Sequence, residues 1–237
     1  MIDLKPSCVS VGGMTDTPFF DRLRADAAGP WSRYIRHPFV LALGDGSLAA
    51  HKFRNFLVQD YLFLIQYARA YVLLAYKLDE PDDMRAALAT ADALLSGEMP
   101  LHVRYCAGWG LGEAQMRAAP AALEMIAYTR YVLELGQAGD ALDLMVALAP
   151  CIAGYAEIGA MLNEGLRPGN PYADWIAAYA GPEYNRSVAE AMAMLERLAV
   201  RRGGAARYDA LLTIFAQATQ CEAAFWEIGW RAEAKSS

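Results

Sequence analysis

The sequence is short of the residues on which metal and disulfide chemistry depend, with 3 histidines and 4 cysteines in 237 residues. Cys8, Cys106, Cys151 and Cys221 form no CxxC pair and no other zinc spacing, so the expectation is free thiols in a cytoplasmic protein without structural zinc. A ferritin-like di-iron centre takes Glu-x-x-His from each of two helices. The nearest match, Glu98-Met99-Pro100-Leu101-His102, is one residue too long and has no twin. Haem would need an axial ligand; beside His102 the only other histidines are His37 and His51, and His37, ahead of Pro38 near a helix end, reads as a cap or packing residue. The phosphate cradles GxGxxG and GxxxxGK are absent, which removes the usual sequence support for ATP, NAD and FAD. Positive charge is sparse as well: 21 Lys and Arg against 27 Asp and Glu give a net charge of −6, and the one tight basic pair is Arg201-Arg202. Nucleic acid and anionic membrane surfaces are held by clustered Lys and Arg, so neither is an expected partner. No signal-peptide pattern opens the chain, and the least polar stretch, Leu144–Ala156, falls short of the about 18 residues that a membrane span needs.

What is abundant is apolar surface with helical spacing. Apolar residues make up 56% of the chain, enough for a sizeable core. Residues 1–15, with proline, serine and paired glycine, read as a loose extension, and residues 16–233 as one domain. Periodic segments fall near 17–28, 31–42, 48–78, 82–109, 119–137, 139–165, 171–179, 184–200 and 205–232. Turn chemistry separates them at Gly44-Asp45-Gly46, Asp79-Glu80-Pro81, Gly136-Gln137-Ala138-Gly139, Arg167-Pro168-Gly169-Asn170-Pro171 and Gly203-Gly204. No strand signal competes. The expectation is an all-α bundle with any site built between facing helices.

Three residues sit where helical packing alone would not put them. Cys151 follows Pro150 inside the apolar stretch from Leu148 to Gly159. A proline there removes a backbone donor, costs about 3 kcal/mol and leaves the carbonyl of Val146 short of its partner. Asp60 lies on the stripe of Phe56, Phe63, Leu64 and Tyr67, beside a polar face marked by Asn55, Gln59 and Gln66. Glu222 stands among Phe215, Phe225, Trp226 and Trp230. An ionised carboxylate buried without partners costs several kcal/mol, so each acid pairs, keeps its proton or faces a polar pocket. Read singly, the cysteine is an inert apolar filler and each acid a helix-edge ion pair or core hydrogen bond. Read together, they suit a ligand pocket between helices.

These residues come in a recognisable order: His37-Pro38-Phe39, Gly44-Asp45-Gly46, Val58-Gln59-Asp60, Pro150-Cys151, Tyr155-x-Glu157-x-Gly159 and Glu222-x-x-Phe225-Trp226. The set resembles the TenA family, also called thiaminase II or aminopyrimidine aminohydrolase, over about residues 17–232. The resemblance implies a haem-oxygenase-like all-α fold without haem, a homotetramer, and a role in thiamin salvage. It implies Cys151 as nucleophile, Glu222 as the catalytic acid and base, and Asp60 as the carboxylate that binds an aminopyrimidine. Tyr128, Tyr155, Tyr179 and Phe225 match aromatic pocket positions, although each would otherwise pass for core packing. Where the family often has a tyrosine three residues after the aspartate, this chain has Phe63, so one hydroxyl is missing.

The implied substrate is 4-amino-5-aminomethyl-2-methylpyrimidine, with thiamin itself a further possibility. The implied reaction is release of ammonia through thiolate addition to the ring, with no metal and no cofactor. Two other classes compete on the same fold. A non-catalytic pyrimidine-binding or regulatory protein would keep Asp60 and the aromatic residues without needing Cys151 or Glu222. A cofactor-independent oxidase would use several pocket histidines, which this chain does not supply.

Overall fold

A computed structural model describes residues 17–234; the expected extension at 1–15, with Cys8, lies outside them. The described chain is helical and contains no strand: α1 (Phe19–Asp26), α2 (Ala28–Ile35), α3 (Pro38–Asp45), α4 (Ala50–Lys77), α5 (Pro81–Ala93), a π segment (Leu94–Glu98), α6 (Met99–Ala107), α7 (Glu113–Arg117), α8 (Leu123–Ala138), α9 (Ala141–Glu164), α10 (Ala173–Ala180), α11 (Pro182–Arg201) and α12 (Tyr208–Trp230).

Two expected helices are divided, each at a proline. The segment predicted over 31–42 breaks at Arg36-His37, because a residue before proline disfavours helical geometry, and His37 is extended at ψ 143°. Pro38 then opens α3 and the His37 ring caps it, Nδ1 accepting from the Phe39 N–H at 3.2 Å. The segment predicted over 82–109 widens into the π segment just ahead of Pro100, which has no N–H to return to the carbonyl four residues back. Gly46 ends α3 in the left-handed region at φ 80°, as the Gly-Asp-Gly turn requires.

α9 is the axis of the bundle and packs against α10, α11, α12, α8, α4 and α2. It starts on a capping box, in which the Asp140 side chain accepts from Leu142 N–H at 2.9 Å and Asp143 N–H at 3.1 Å while Asp143 answers to Asp140 N–H at 2.8 Å. Taken over its whole 24 residues, rather than over Leu144–Ala156 alone, it is long and apolar enough to cross a membrane. Yet 78% of its most apolar window is buried inside the bundle, the mark of a helix that is apolar all round because protein surrounds it. Two of its glycines bring neighbours close. A Cβ at Gly154 would stand 2.1 Å from the Tyr34 ring, and one at Gly159 would stand 2.6 Å from the Tyr179 backbone, so α2 and α10 can press onto α9 only because both side chains are missing.

Aromatic rings fill the core around Trp226, whose ring lies 5.0 Å from Phe56, 5.2 Å from Phe39 and 5.4 Å from Tyr155. Glu157 of the Tyr155-x-Glu157-x-Gly159 motif serves the scaffold: it accepts from Trp31 Nε1 at 3.0 Å and pairs with Arg24 at 3.2 Å, tying α1 and α2 to α9.

Candidate active site

α9 continues through Pro150 without a break, and tyrosine hydroxyls flank the cysteine that follows. Tyr67 of α4 donates to the Leu148 carbonyl at 2.9 Å, and Tyr184 of α11 donates to the Ile152 carbonyl at 3.2 Å. These donors therefore serve carbonyls on either side of Cys151 rather than the Val146 carbonyl. Cys151 is half-buried. Burial pushes its thiol well above the ordinary range, the nearby Glu222 pushes it further, and the Tyr67 hydroxyl works against both. At rest it is a thiol.

Glu222, on α12, is 2% exposed and accepts from the Tyr128 hydroxyl of α8 at 2.7 Å. Burial raises its carboxyl to about 8, held back by the donating Tyr128 hydroxyl and by the nearby Cys151 thiol and Tyr34 hydroxyl and raised again by the charge of Asp60. The Tyr34 hydroxyl, brought in over Gly154, is buried close to this carboxyl without a full hydrogen bond of its own. Thiol and carboxyl each disfavour the other's ionisation, so the pair carries at most one negative charge, which one proton transfer moves from oxygen to sulfur.

The second predicted acid has a different neighbour. Asp60 is 3% exposed, and its Oδ2 lies 2.6 Å from Nε2 of His102, a ring that is 0% exposed. The other ring nitrogen of His102 is 2.9 Å from the Glu98 main-chain carbonyl. The π segment turns the Glu98 side chain inward, where the Tyr179 hydroxyl donates to it. Burial raises the Glu98 carboxyl, with His102 lowering it and Asp60 raising it again. The Tyr155 ring packs 4.9 Å from Tyr179. Burial, then the charges of Asp60 and Glu222, hold its hydroxyl protonated, so it faces both acids. Gln59, placed on a polar face by sequence, is buried: it donates to the Pro120 carbonyl at 3.0 Å and accepts from Ala122 N–H at 2.8 Å, fixing the approach to α8.

Phe63, Tyr128 and Phe225 form one wall. The Phe63 ring is stacked 5.1 Å from Tyr128 and stands edge-on 5.3 Å from Phe225. All eight predicted residues thus converge on one interior. Sequence reasoning missed Glu98, His102, Tyr34, Tyr67 and Tyr184. The i, i+4 spacing that puts Glu98 and His102 on one helix face is the sequence signal that could have found that pair. Ligand-type atoms of Asp60, Glu98 and His102 lie within 4.8 Å of one another. Their shortest separation, 2.6 Å between Asp60 and His102, is a hydrogen bond and is tighter than two ligands at about 2.1 Å from one ion adopt at tetrahedral angles. A surface cleft of about 320 Å³ lined by Asp21, Arg24, Trp31, Arg36 and Glu157 contains none of the predicted site residues.

The bundle has a haem-oxygenase-like fold: a protein of that fold from Shewanella denitrificans superposes with a TM-score of 0.68 over 92% of this chain and 94% of its own, at 12% identity. Residues 24–232 match the TENA/THI-4/PQQC family, and the chain belongs to that family. An aminopyrimidine aminohydrolase of Halalkalibacterium halodurans is 36% identical over 203 residues, covering 84% of this chain and 90% of its own. A TenA family transcription regulator from a Silicibacter species superposes with a TM-score of 0.87 at 38% identity, over 90% of this chain and 97% of its own.

Proposed function

We propose that this chain is an aminopyrimidine aminohydrolase of thiamin salvage, converting 4-amino-5-aminomethyl-2-methylpyrimidine to its 5-hydroxymethyl counterpart with release of ammonia. The observation that carries this reading is the gathering of Cys151, Glu222 and Asp60 in one buried interior lined by aromatic rings. The ring lies against the Phe63, Tyr128 and Phe225 wall, with its amino group donating to Asp60. In its ionised form Glu222 takes the thiol proton, and the Cys151 thiolate adds to the ring carbon beside the aminomethyl substituent. The electron pair displaced by the new C–S bond expels the amine, which leaves as ammonia with the proton held by Glu222. Water then adds to the exocyclic methylene and gives its proton to Glu222, and the C–S bond breaks to restore the aromatic ring and the thiolate. A carboxyl near 8 suits both directions of that transfer. The H. halodurans relative supports the substrate class.

A pyrimidine sensor would need Asp60 and the aromatic wall, but not a thiol set against a proton-carrying carboxyl. Apolar surface left open at Tyr76, Leu123 and Val200, 85%, 79% and 82% exposed, is what a cytoplasmic homotetramer would cover, and light scattering checks its mass. The deciding experiment is ammonia release from the aminomethylpyrimidine, its formylated precursor and thiamin. Turnover of the first is expected; pyrimidine binding without any release would leave the sensor.

A further inference from the structure

His102 has no part in the reaction just described, yet it is a fully buried polar residue beside Asp60, at 0% exposure. Its two ring nitrogens both face acceptors. Nδ1 lies 2.9 Å from the main-chain carbonyl of Glu98, which can only accept, so Nδ1 carries a proton. Nε2 lies 2.6 Å from Asp60 Oδ2. A neutral ring would then present a lone pair to Asp60, and the contact would require a protonated Asp60. The surroundings argue the other way. The groups facing His102 are Asp60 from α4 and the Glu98 carboxyl from the π segment, with the hydroxyl of Tyr179 from α10 on Glu98 and that of Tyr155 from α9 beside Asp60. Two carboxyl groups beside one imidazole favour the cation. Burial opposes it, and the bond and charge of Asp60 outweigh burial, so the ring's pKa is raised.

We propose that His102 is a standing imidazolium and the positioning residue for Asp60, holding it as a carboxylate with Oδ2 engaged and Oδ1 turned to the amino edge of the pyrimidine. This rests on the assignment of Asp60 to pyrimidine binding. It adds a specificity rule: a carboxylate accepts from a 4-amino group and repels a 4-oxo group, whereas a protonated Asp60 would take either. It also separates binding from chemistry, since the polar partners of His102 are Asp60 and Glu98 and not the Cys151 thiol.

Two measurements test it. In ¹⁵N-histidine-labelled protein without ligand, one of the three histidines should show both ring nitrogens protonated at pH 7, and that signal should vanish in His102→Gln. If His102→Gln does not fold, His37→Gln and His51→Gln identify it by elimination. An unprotonated Nε2 on His102 at pH 7 overturns the proposal. In the second, His102→Gln, which keeps a donor and loses the charge, should raise KM for the aminomethylpyrimidine and Kd for the hydroxymethyl product by about tenfold or more. Its kcat should stay within about threefold, and discrimination against the 4-oxo analogue should fall. Unchanged Kd, or a loss confined to kcat, overturns it. Wild-type protein that neither binds pyrimidine nor releases ammonia would sink the proposed function, while the nitrogen spectra would still settle the charge of His102.

Discussion

On one side of the buried interior Asp60 faces a histidine ring at 2.6 Å; on the other Glu222 faces a hydroxyl at 2.7 Å, a second hydroxyl and a thiol. Both acids are almost fully buried. Burial alone therefore does not decide what a carboxyl does here; the neighbour does. With an imidazolium beside it a carboxylate becomes a fixed acceptor, suited to holding a ring. With only neutral donors beside it, the group keeps its proton up to about pH 8 and is suited to passing it on. His37 completes the contrast. Its Nδ1 accepts from Phe39 N–H, so the ring is neutral, its remaining proton goes to Glu227 at 3.2 Å, and burial lowers its pKa. One histidine serves a helix and the other a pocket, and hydrogen-bond direction tells them apart.

The largest expected effect tests whether the Glu222 side carries the chemistry. Cys151→Ser should lose about 10³-fold or more of turnover and keep its product affinity, because a serine hydroxyl beside Glu222 is far less ionised than a thiol. Retention of more than about a tenth of the rate would rule out the covalent route.

Glu222→Gln should lower kcat by about 10²–10⁴ and change product affinity little. It also carries a stability signature. An unfolded glutamate releases its proton near 4.5 and the buried one near 8, so between those values the folded state holds a proton that the unfolded chain has lost, and stability falls as pH rises. The variant has no such proton. Urea unfolding should find it more stable than the wild type by roughly 4 kcal/mol at pH 8, with the difference vanishing near pH 4. Parallel stability curves would place the high-pKa group elsewhere.

On the other side, Asp60→Asn should weaken product binding by about 1.5–3 kcal/mol, the range for a hydrogen bond to a charged group. Calorimetry showing unchanged affinity would remove Asp60 from the pocket and collapse the comparison from that side.

How far this pocket could be read from sequence depends on whether a residue is anomalous within its own helix. Cys151 after a helix-interior proline, and Asp60 and Glu222 among aromatic rings, violate helical periodicity locally, so they stand out before anything is folded. Tyr34, Tyr67 and Tyr184 violate nothing, since a tyrosine on an apolar face is ordinary packing; the groups their hydroxyls approach lie on α9 or α12, remote in sequence. His102 was hidden for the same reason: its partner Asp60 is 42 residues away, on α4. The breaks at His37-Pro38 and ahead of Pro100 follow from proline chemistry and were legible in principle, but apolar spacing that runs on across them covered the signal.

The smallest expected effect concerns the aromatic wall. Phe63 is 4% exposed, with rings stacked on it at 5.0 Å from Tyr67 and 5.1 Å from Tyr128. Both stacked neighbours carry hydroxyls that serve the Cys151 and Glu222 side. In Phe63→Tyr a new hydroxyl that reaches the pocket can gain about 0.5–1.5 kcal/mol from the substrate or from these neighbours. The same hydroxyl driven into dry packing would cost as much or more. We expect kcat/KM for the aminomethylpyrimidine to be equal or higher, by up to about tenfold, with Tm little changed. A clear fall in Tm with no kinetic change would make Phe63 a core residue, and the aromatic wall would then end at Tyr128 and Phe225.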